Sequence, residues 1–82
     1  MTENEISYKI RAAIFKVYNS FGPGLLESVY VSALLLELKL NGLMAQKEVP
    51  IPVFYRDENL NIGFRIDILV NKKVLIEVKS VE

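Results

Sequence analysis

The sequence contains no cysteine and no histidine. Their absence excludes a zinc site of the usual kind, a cysteine nucleophile, a Ser-His-Asp triad and a histidine general base. Carboxylates, lysines and tyrosines remain for acid–base chemistry or metal binding. Carboxylates suit hard cations such as magnesium or manganese. If the chain is an enzyme, we therefore expect one whose carboxylates hold a metal ion.

The sequence also lacks a net charge, a run of basic residues and a long apolar stretch. Ten Lys and Arg balance ten Asp and Glu, so overall charge does not favour nucleic-acid binding, which would need a local patch. No stretch is long and apolar enough for a membrane span, and the N-terminus does not resemble a signal peptide. We expect no membrane association and take the cytoplasm as the default location.

What the sequence does contain is enough apolar material for one small domain, residues 1–82. Hydrophobic residues make up 51% and charged residues 24% of the chain. A domain of this size buries only about 60–65% of its unfolded surface. We therefore expect the isolated domain to be marginally stable. A partner subunit or ligand would then add to its free energy of unfolding.

The N-terminal half shows helical periodicity. Thr2 followed by Glu5 predicts a capping box that opens a first helix. Gly22-Pro23-Gly24 ends that helix. Its apolar face comprises Ile6, Ile10, Ala13, Ile14, Val17 and Phe21.

A second helix is predicted from Leu25 to Asn41, with Gly42 as its C-terminal cap. It is apolar around most of its circumference, which predicts that it is largely buried.

The second half of the chain has the two-residue period of β-strands. The alternation predicts strands over 45–55, 60–70 and 74–81, joined by turns at 56–59 and 71–73. Pro50 and Pro52 cannot donate hydrogen bonds, which indicates that the first strand has a free edge. The predicted fold class is α+β, with two N-terminal helices followed by a three-stranded antiparallel meander.

The second hairpin would bring two carboxylates together. If Val70 pairs with Val74 across the three-residue turn, Asp67 lies opposite Glu77. Carboxylates opposed in this way have Cβ atoms about 4.5–5.5 Å apart and repel each other. A divalent cation between them would offset the repulsion.

A second interpretation of the same hairpin needs no metal. In this register Arg65 lies opposite Lys79. Diagonal pairs of Arg65 with Glu77 and of Asp67 with Lys79 would make a set of salt bridges on a solvated sheet face.

Glu27 is a further candidate, because it lies off the polar stripe of Ser28, Ser32 and Lys39 and beside Tyr30 on the second helix. A carboxylate on a buried helix face is costly unless it is paired or binds a metal. The alternative is that an acid in the first turn simply complements the helix dipole.

Four ordered sequence elements carry a family resemblance. They are GLLESVY at residues 24–30, QKEVPI at 46–51, GFRID at 63–67 and IEVK at 76–79. Together they resemble the GxxExxY proteins of the PD-(D/E)XK nuclease superfamily over nearly the whole chain.

The resemblance implies a role for each candidate. Asp67 and Glu77 would hold a magnesium or manganese ion, and Glu27 would complete the site directly or through water. Lys79 would orient or activate a water and stabilise charge on the scissile phosphate. Tyr30 would pack or form a hydrogen bond. The implied activity is metal-assisted hydrolysis of nucleic-acid phosphodiesters.

The resemblance also implies part of a restriction-endonuclease-like α/β/α core. Family members continue beyond the E-x-K strand with a further helix and strand, so we expect the domain at residues 1–82 to be incomplete at its C-terminus. Two other functions stay open: a catalytically silent α+β interaction module that binds through an exposed sheet edge, and a homo-oligomer whose copies supply missing elements. We expect a homo-oligomer.

Overall fold

The computed structural model describes residues 1–79. Its elements are α1 (Glu3–Phe21), α2 (Glu27–Leu40), β1 (Ala45–Tyr55), β2 (Glu58–Val70) and β3 (Val74–Ile76). The strands form an antiparallel sheet in the order β1-β2-β3. Two helices followed by an open antiparallel sheet confirm the predicted α+β class.

Helix α1 begins with the predicted capping box. The Glu5 N–H donates to the Thr2 hydroxyl at 3.2 Å, and the Thr2 N–H donates to the Glu5 carboxylate at 3.1 Å. This last bond favours the charged form and lowers the pKa of the Glu5 carboxyl. Ile14 and Phe21, which were expected on the apolar face, are exposed. The residues of α1 that enter the core are Ile6, Ile10, Ala13 and Val17.

Helix α2 ends at Leu40 and is followed by the predicted glycine cap, Gly42. Gly42 adopts φ 79°, a left-handed conformation that glycine takes without strain. Its N–H donates to Lys39 O, and the Leu43 N–H donates to Leu38 O at 3.1 Å. This is a Schellman motif, and Leu38 and Leu43 are both buried beside it. The cap therefore directs the chain from α2 towards the sheet.

The prediction that α2 is largely buried is wrong. Leu34 and Leu38 are buried, but Leu36 and Leu40 are 59% and 72% exposed. The described part of the fold has only two layers, so α2 is covered by α1 and the sheet on one side. Its outer face remains apolar and exposed.

The turn between β1 and β2 is shorter than predicted. Only Arg56 and Asp57 lie outside the ladder, and Glu58 already pairs with Tyr55. Both turn residues have positive φ, at 50° and 64°. Two successive left-handed residues are typical of a tight I′ hairpin, so β2 begins at Glu58 and not at Leu60.

The two outer strands of the sheet differ in length. The β1 strand is an edge strand, as Pro50 and Pro52 predicted. The other edge strand, β3, starts at Val74 as predicted but ends at Ile76. Residues 77–79 continue without strand pairing, and the rest of the predicted strand lies outside the described residues.

The core lies between the two helices and one end of the sheet. Leu43, Ala45, Ile68 and Val70 pack there against the buried residues of α1 and α2. The far half of the β1–β2 hairpin extends beyond this core. Its exposed large apolar residues are Phe54, Tyr55, Leu60, Ile62 and Phe64.

Candidate active site

Asp67 contacts the segment that carries the E-x-K motif. It is half-buried in β2, between the buried residues Ile66 and Ile68. Its carboxylate oxygen Oδ2 accepts a hydrogen bond from the Val78 N–H at 2.7 Å. Val78 lies between Glu77 and Lys79, so this bond brings three of the four predicted site residues into one region.

The predicted register of the second hairpin is confirmed in part. Val70 pairs with Val74, and the last pair of the ladder is Ile68 with Ile76. Asp67 and Glu77 are therefore adjacent to the end of the ladder and are not themselves a ladder pair. The Val78 N–H needs an acceptor once the ladder ends, and the Asp67 carboxylate supplies it.

On the β1 side, Asp67 lies opposite Glu48 in the register of the ladder. The residues that flank Glu48 pair with the residues that flank Asp67. Glu48 has φ 55°, a left-handed conformation that costs a non-glycine residue roughly 1–3 kcal/mol. Backbone strain of this kind is concentrated at functional sites. This conformation could not be predicted from residue type, because Glu is not among the residues that favour it.

Neither salt bridge of the metal-free interpretation forms. Within residues 1–79, Arg65 is not paired with Glu77, and Asp67 is not paired with Lys79. A salt bridge does join the two helices, from Lys16 of α1 to Glu37 of α2 at 3.3 Å.

Tyr30 fixes the loop that precedes α2. Its hydroxyl donates to Gly22 O at 2.6 Å and accepts from the Leu25 N–H at 3.1 Å. Gly24 lies inside this loop with φ 93°, which favours glycine. The glycine and tyrosine of the GxxExxY pattern thus set the start of α2, where Glu27 is the first helical residue.

Glu27 is exposed, so the prediction that it lies on a buried helix face is wrong. It is the first residue of α2, where a carboxylate interacts favourably with the helix dipole. Among the side chains of residues 1–79, no group of three or more possible ligands is placed to hold a metal ion. The participation of Glu27 in a joint site remains a prediction.

A cavity of about 240 Å³ links the sequence motifs. Its walls come from α1, the loop before α2, α2 itself and residues 76–79. Gly24 and Tyr30 of the first motif line it together with Glu77 and Lys79 of the last. The fold therefore brings elements separated by about half the chain to one opening.

The donor chemistry fits magnesium or manganese. Magnesium in enzymes is commonly bound through one or two carboxylates, with waters and substrate phosphates completing its shell. Asp67 and Glu77 provide two carboxylates at the end of the sheet. Lys79 follows on the same segment as a cation that can meet a phosphate.

The fold is an α+β domain in which Asp67 at the end of the β2–β3 ladder contacts the segment that carries Glu77 and Lys79. The chain belongs to the PD-(D/E)XK nuclease superfamily, whose family model matches residues 4–82. Members of this superfamily generally use divalent metals such as magnesium or manganese. Searches of curated proteins and of solved structures gave no significant match.

Membership confirms the superfamily part of the resemblance and indicates a nuclease-like function. In the described part of the chain, neither helix has the length and apolar character that crossing a membrane requires. The cytoplasmic location stays a prediction.

Proposed function

We propose that this chain is a metal-dependent nuclease domain of the GxxExxY type that hydrolyses nucleic-acid phosphodiester bonds. The observation that supports it best is the hydrogen bond from Val78 to the Asp67 carboxylate, because it joins the aspartate to the E-x-K segment. The left-handed backbone of Glu48, which lies opposite Asp67 in the β1–β2 register, adds to it, since backbone strain of this kind is concentrated at functional sites.

Each residue has a defined part in this proposal. Asp67 and Glu77 hold magnesium or manganese, and Glu27 completes the set directly or through water. The ion, when bound, supplies a Lewis acid and lowers the pKa of a bound water. Lys79 orients the attacking water and stabilises negative charge on the phosphate. Tyr30 holds the loop that places Glu27.

Cleavage assays test the proposal directly. Single- and double-stranded DNA and RNA are incubated with the protein and Mn²⁺ or Mg²⁺. Lys79→Ala and Asp67→Asn should each lower the cleavage rate by at least about a hundredfold. Lys72→Ala, at an exposed lysine in the β2–β3 turn, is the matched control and should cleave normally. Equal rates for Lys79→Ala and Lys72→Ala would contradict the proposal.

A second part of the proposal concerns association. The far half of the β1–β2 hairpin and the outer face of α2 expose large apolar side chains, including Phe64 and Leu40 at 59% and 72%. Large apolar side chains exposed in this way are typical of interaction sites when they form a contiguous patch. We propose that the protein forms a homo-oligomer through it. Association without any cleavage would instead favour the catalytically silent interaction module.

A further inference from the structure

The cavity beside the E-x-K segment has walls that are almost entirely apolar. Ile14, Val17 and Leu34 line it from the helices, and Ile76 and Val78 line it from the sheet side. Its volume of about 240 Å³ exceeds the roughly 150 Å³ of an apolar cavity known to admit benzene. It is therefore large enough for a planar ring and offers that ring apolar contacts.

Two tyrosines supply aromatic surface to the same cavity. Tyr18 lines it from α1 and is 53% exposed, so its ring is accessible. Tyr30 also lines it, but its hydroxyl is already engaged by Gly22 and Leu25. Tyr30 thus contributes ring surface without a free polar group. Aromatic side chains of this kind bind nucleobases by stacking, irrespective of sequence.

The charged residues at the cavity indicate which planar group would occupy it. Glu77 and Lys79 belong to its lining and are the residues proposed to act at the phosphate. A group held in the cavity would therefore lie close to the phosphate that Lys79 contacts. In a nucleic acid, the planar group close to a phosphate is the base of the same or the neighbouring nucleotide.

We infer that this cavity is a subsite for one unpaired nucleobase, held against Tyr18 while its phosphate faces Lys79. The inference rests on the proposed function and narrows its substrate to nucleic acid with an unpaired nucleotide near the cleaved bond. A base within a duplex cannot enter such a cavity without leaving the stack. The apolar walls offer stacking without base-specific hydrogen bonds, so recognition should be largely independent of sequence.

Binding of oligonucleotides in EDTA tests the inference separately from cleavage. Fluorescence anisotropy would compare a single-stranded oligomer, a duplex and an abasic oligomer of equal length. We expect the single strand to bind best. Tyr18→Ala should weaken its binding by about fivefold to 150-fold, and Tyr18→Phe, which keeps the ring, should restore it. Tyr8→Ala, at another exposed tyrosine of α1 outside this cavity, is the control and should have no effect.

Several outcomes would overturn the inference. They are absent binding, equal binding of normal and abasic oligomers, and equal effects of Tyr18→Ala and Tyr8→Ala. A change of oligomeric state in Ile14→Trp, which fills the cavity, would show that a second copy occupies it instead. If cleavage depends on Lys79 but not on Tyr18, the subsite fails and the nuclease proposal survives. If base-dependent binding is intact but no cleavage occurs, the nuclease proposal fails alone.

Discussion

The Val78 N–H donates to the Asp67 carboxylate at 2.7 Å across 11 residues of sequence. One carboxylate oxygen thus ends the β2–β3 ladder and holds the E-x-K segment against β2. The same side chain is proposed to bind a metal. Its structural and chemical roles can be separated, because the first needs an acceptor oxygen and the second needs a negative charge.

Asp67→Asn should therefore differ from Asp67→Ala. Asparagine keeps an oxygen that can accept from Val78, so we expect its free energy of unfolding to fall by less than about 1 kcal/mol. Alanine leaves the Val78 N–H without that acceptor and should cost about 1.5–3 kcal/mol. Urea unfolding followed by circular dichroism measures both. Equal losses in the two variants would show that this hydrogen bond does not hold the segment.

Tyr30→Phe tests the loop before α2. The substitution removes the bonds to Gly22 and Leu25 while keeping the ring, and both bonds are partly buried. We expect a loss of about 1–2 kcal/mol in the free energy of unfolding. Tyr8→Phe, at an exposed tyrosine of α1, should change it by less than about 0.5 kcal/mol. A similar change in both variants would contradict the role assigned to Tyr30.

Gly63→Ala tests the close approach of the two long strands. A Cβ at position 63 would clash with the backbone carbonyl oxygen of Ile51. Backbone atoms cannot move aside as a side chain would, so we expect destabilisation of roughly 1–3 kcal/mol. Arg65→Ala, at an exposed residue of the same strand, should be nearly neutral. Denaturation midpoints that are the same for both variants would exclude this packing constraint.

Much of the fold could be predicted because its signals are local. The capping box at Thr2 and Glu5, the Gly42 cap and the bounds of β1 each depend on a few neighbouring residues. The pairing of Val70 with Val74 follows from turn length in the same way.

The features of the site that could not be predicted depend on contacts between distant residues. Alternation of residue types does not reveal that Asp67 will bond to Val78 or that the ladder will end there. Nor does it reveal the left-handed backbone of Glu48. The exposure of Glu27 was missed because helical periodicity assigns a face to each residue but does not show how far along the helix the buried face extends.

The exposed hairpin leads to a prediction about association. We expect a homodimer or larger assembly that buries more than about 1,000 Å² in total. Phe64→Ser combined with Ile62→Ser removes apolar surface at residues 59% and 65% exposed and should shift the protein towards monomer. Sedimentation velocity at tens of micromolar would follow the shift. Asn59→Ser, at an exposed polar position of β2, is the control. Monomeric behaviour of the unmodified chain would contradict the association proposal.

Metal binding should raise stability, because an ion that binds only the folded form stabilises it by RT ln(1 + [L]/Kd). This amounts to about 2.7 kcal/mol at a hundredfold excess over Kd. We expect millimolar Mn²⁺ or Mg²⁺ to raise the melting temperature by several degrees. Sodium chloride at equal ionic strength controls for general screening.

Substitutions of the proposed ligands test which residues cause the metal-induced rise in melting temperature. Asp67→Asn and Glu77→Gln should abolish it, since each removes a charged ligand with little change in shape. Lys79→Ala should preserve it, because lysine is not a ligand and its cation opposes a nearby metal ion. Glu58→Gln, an exposed acid near the β1–β2 turn, should also preserve it. If the metal ions leave the melting temperature unchanged, or if Glu58→Gln reduces the rise as much as Glu77→Gln does, then Asp67 and Glu77 do not form a metal site.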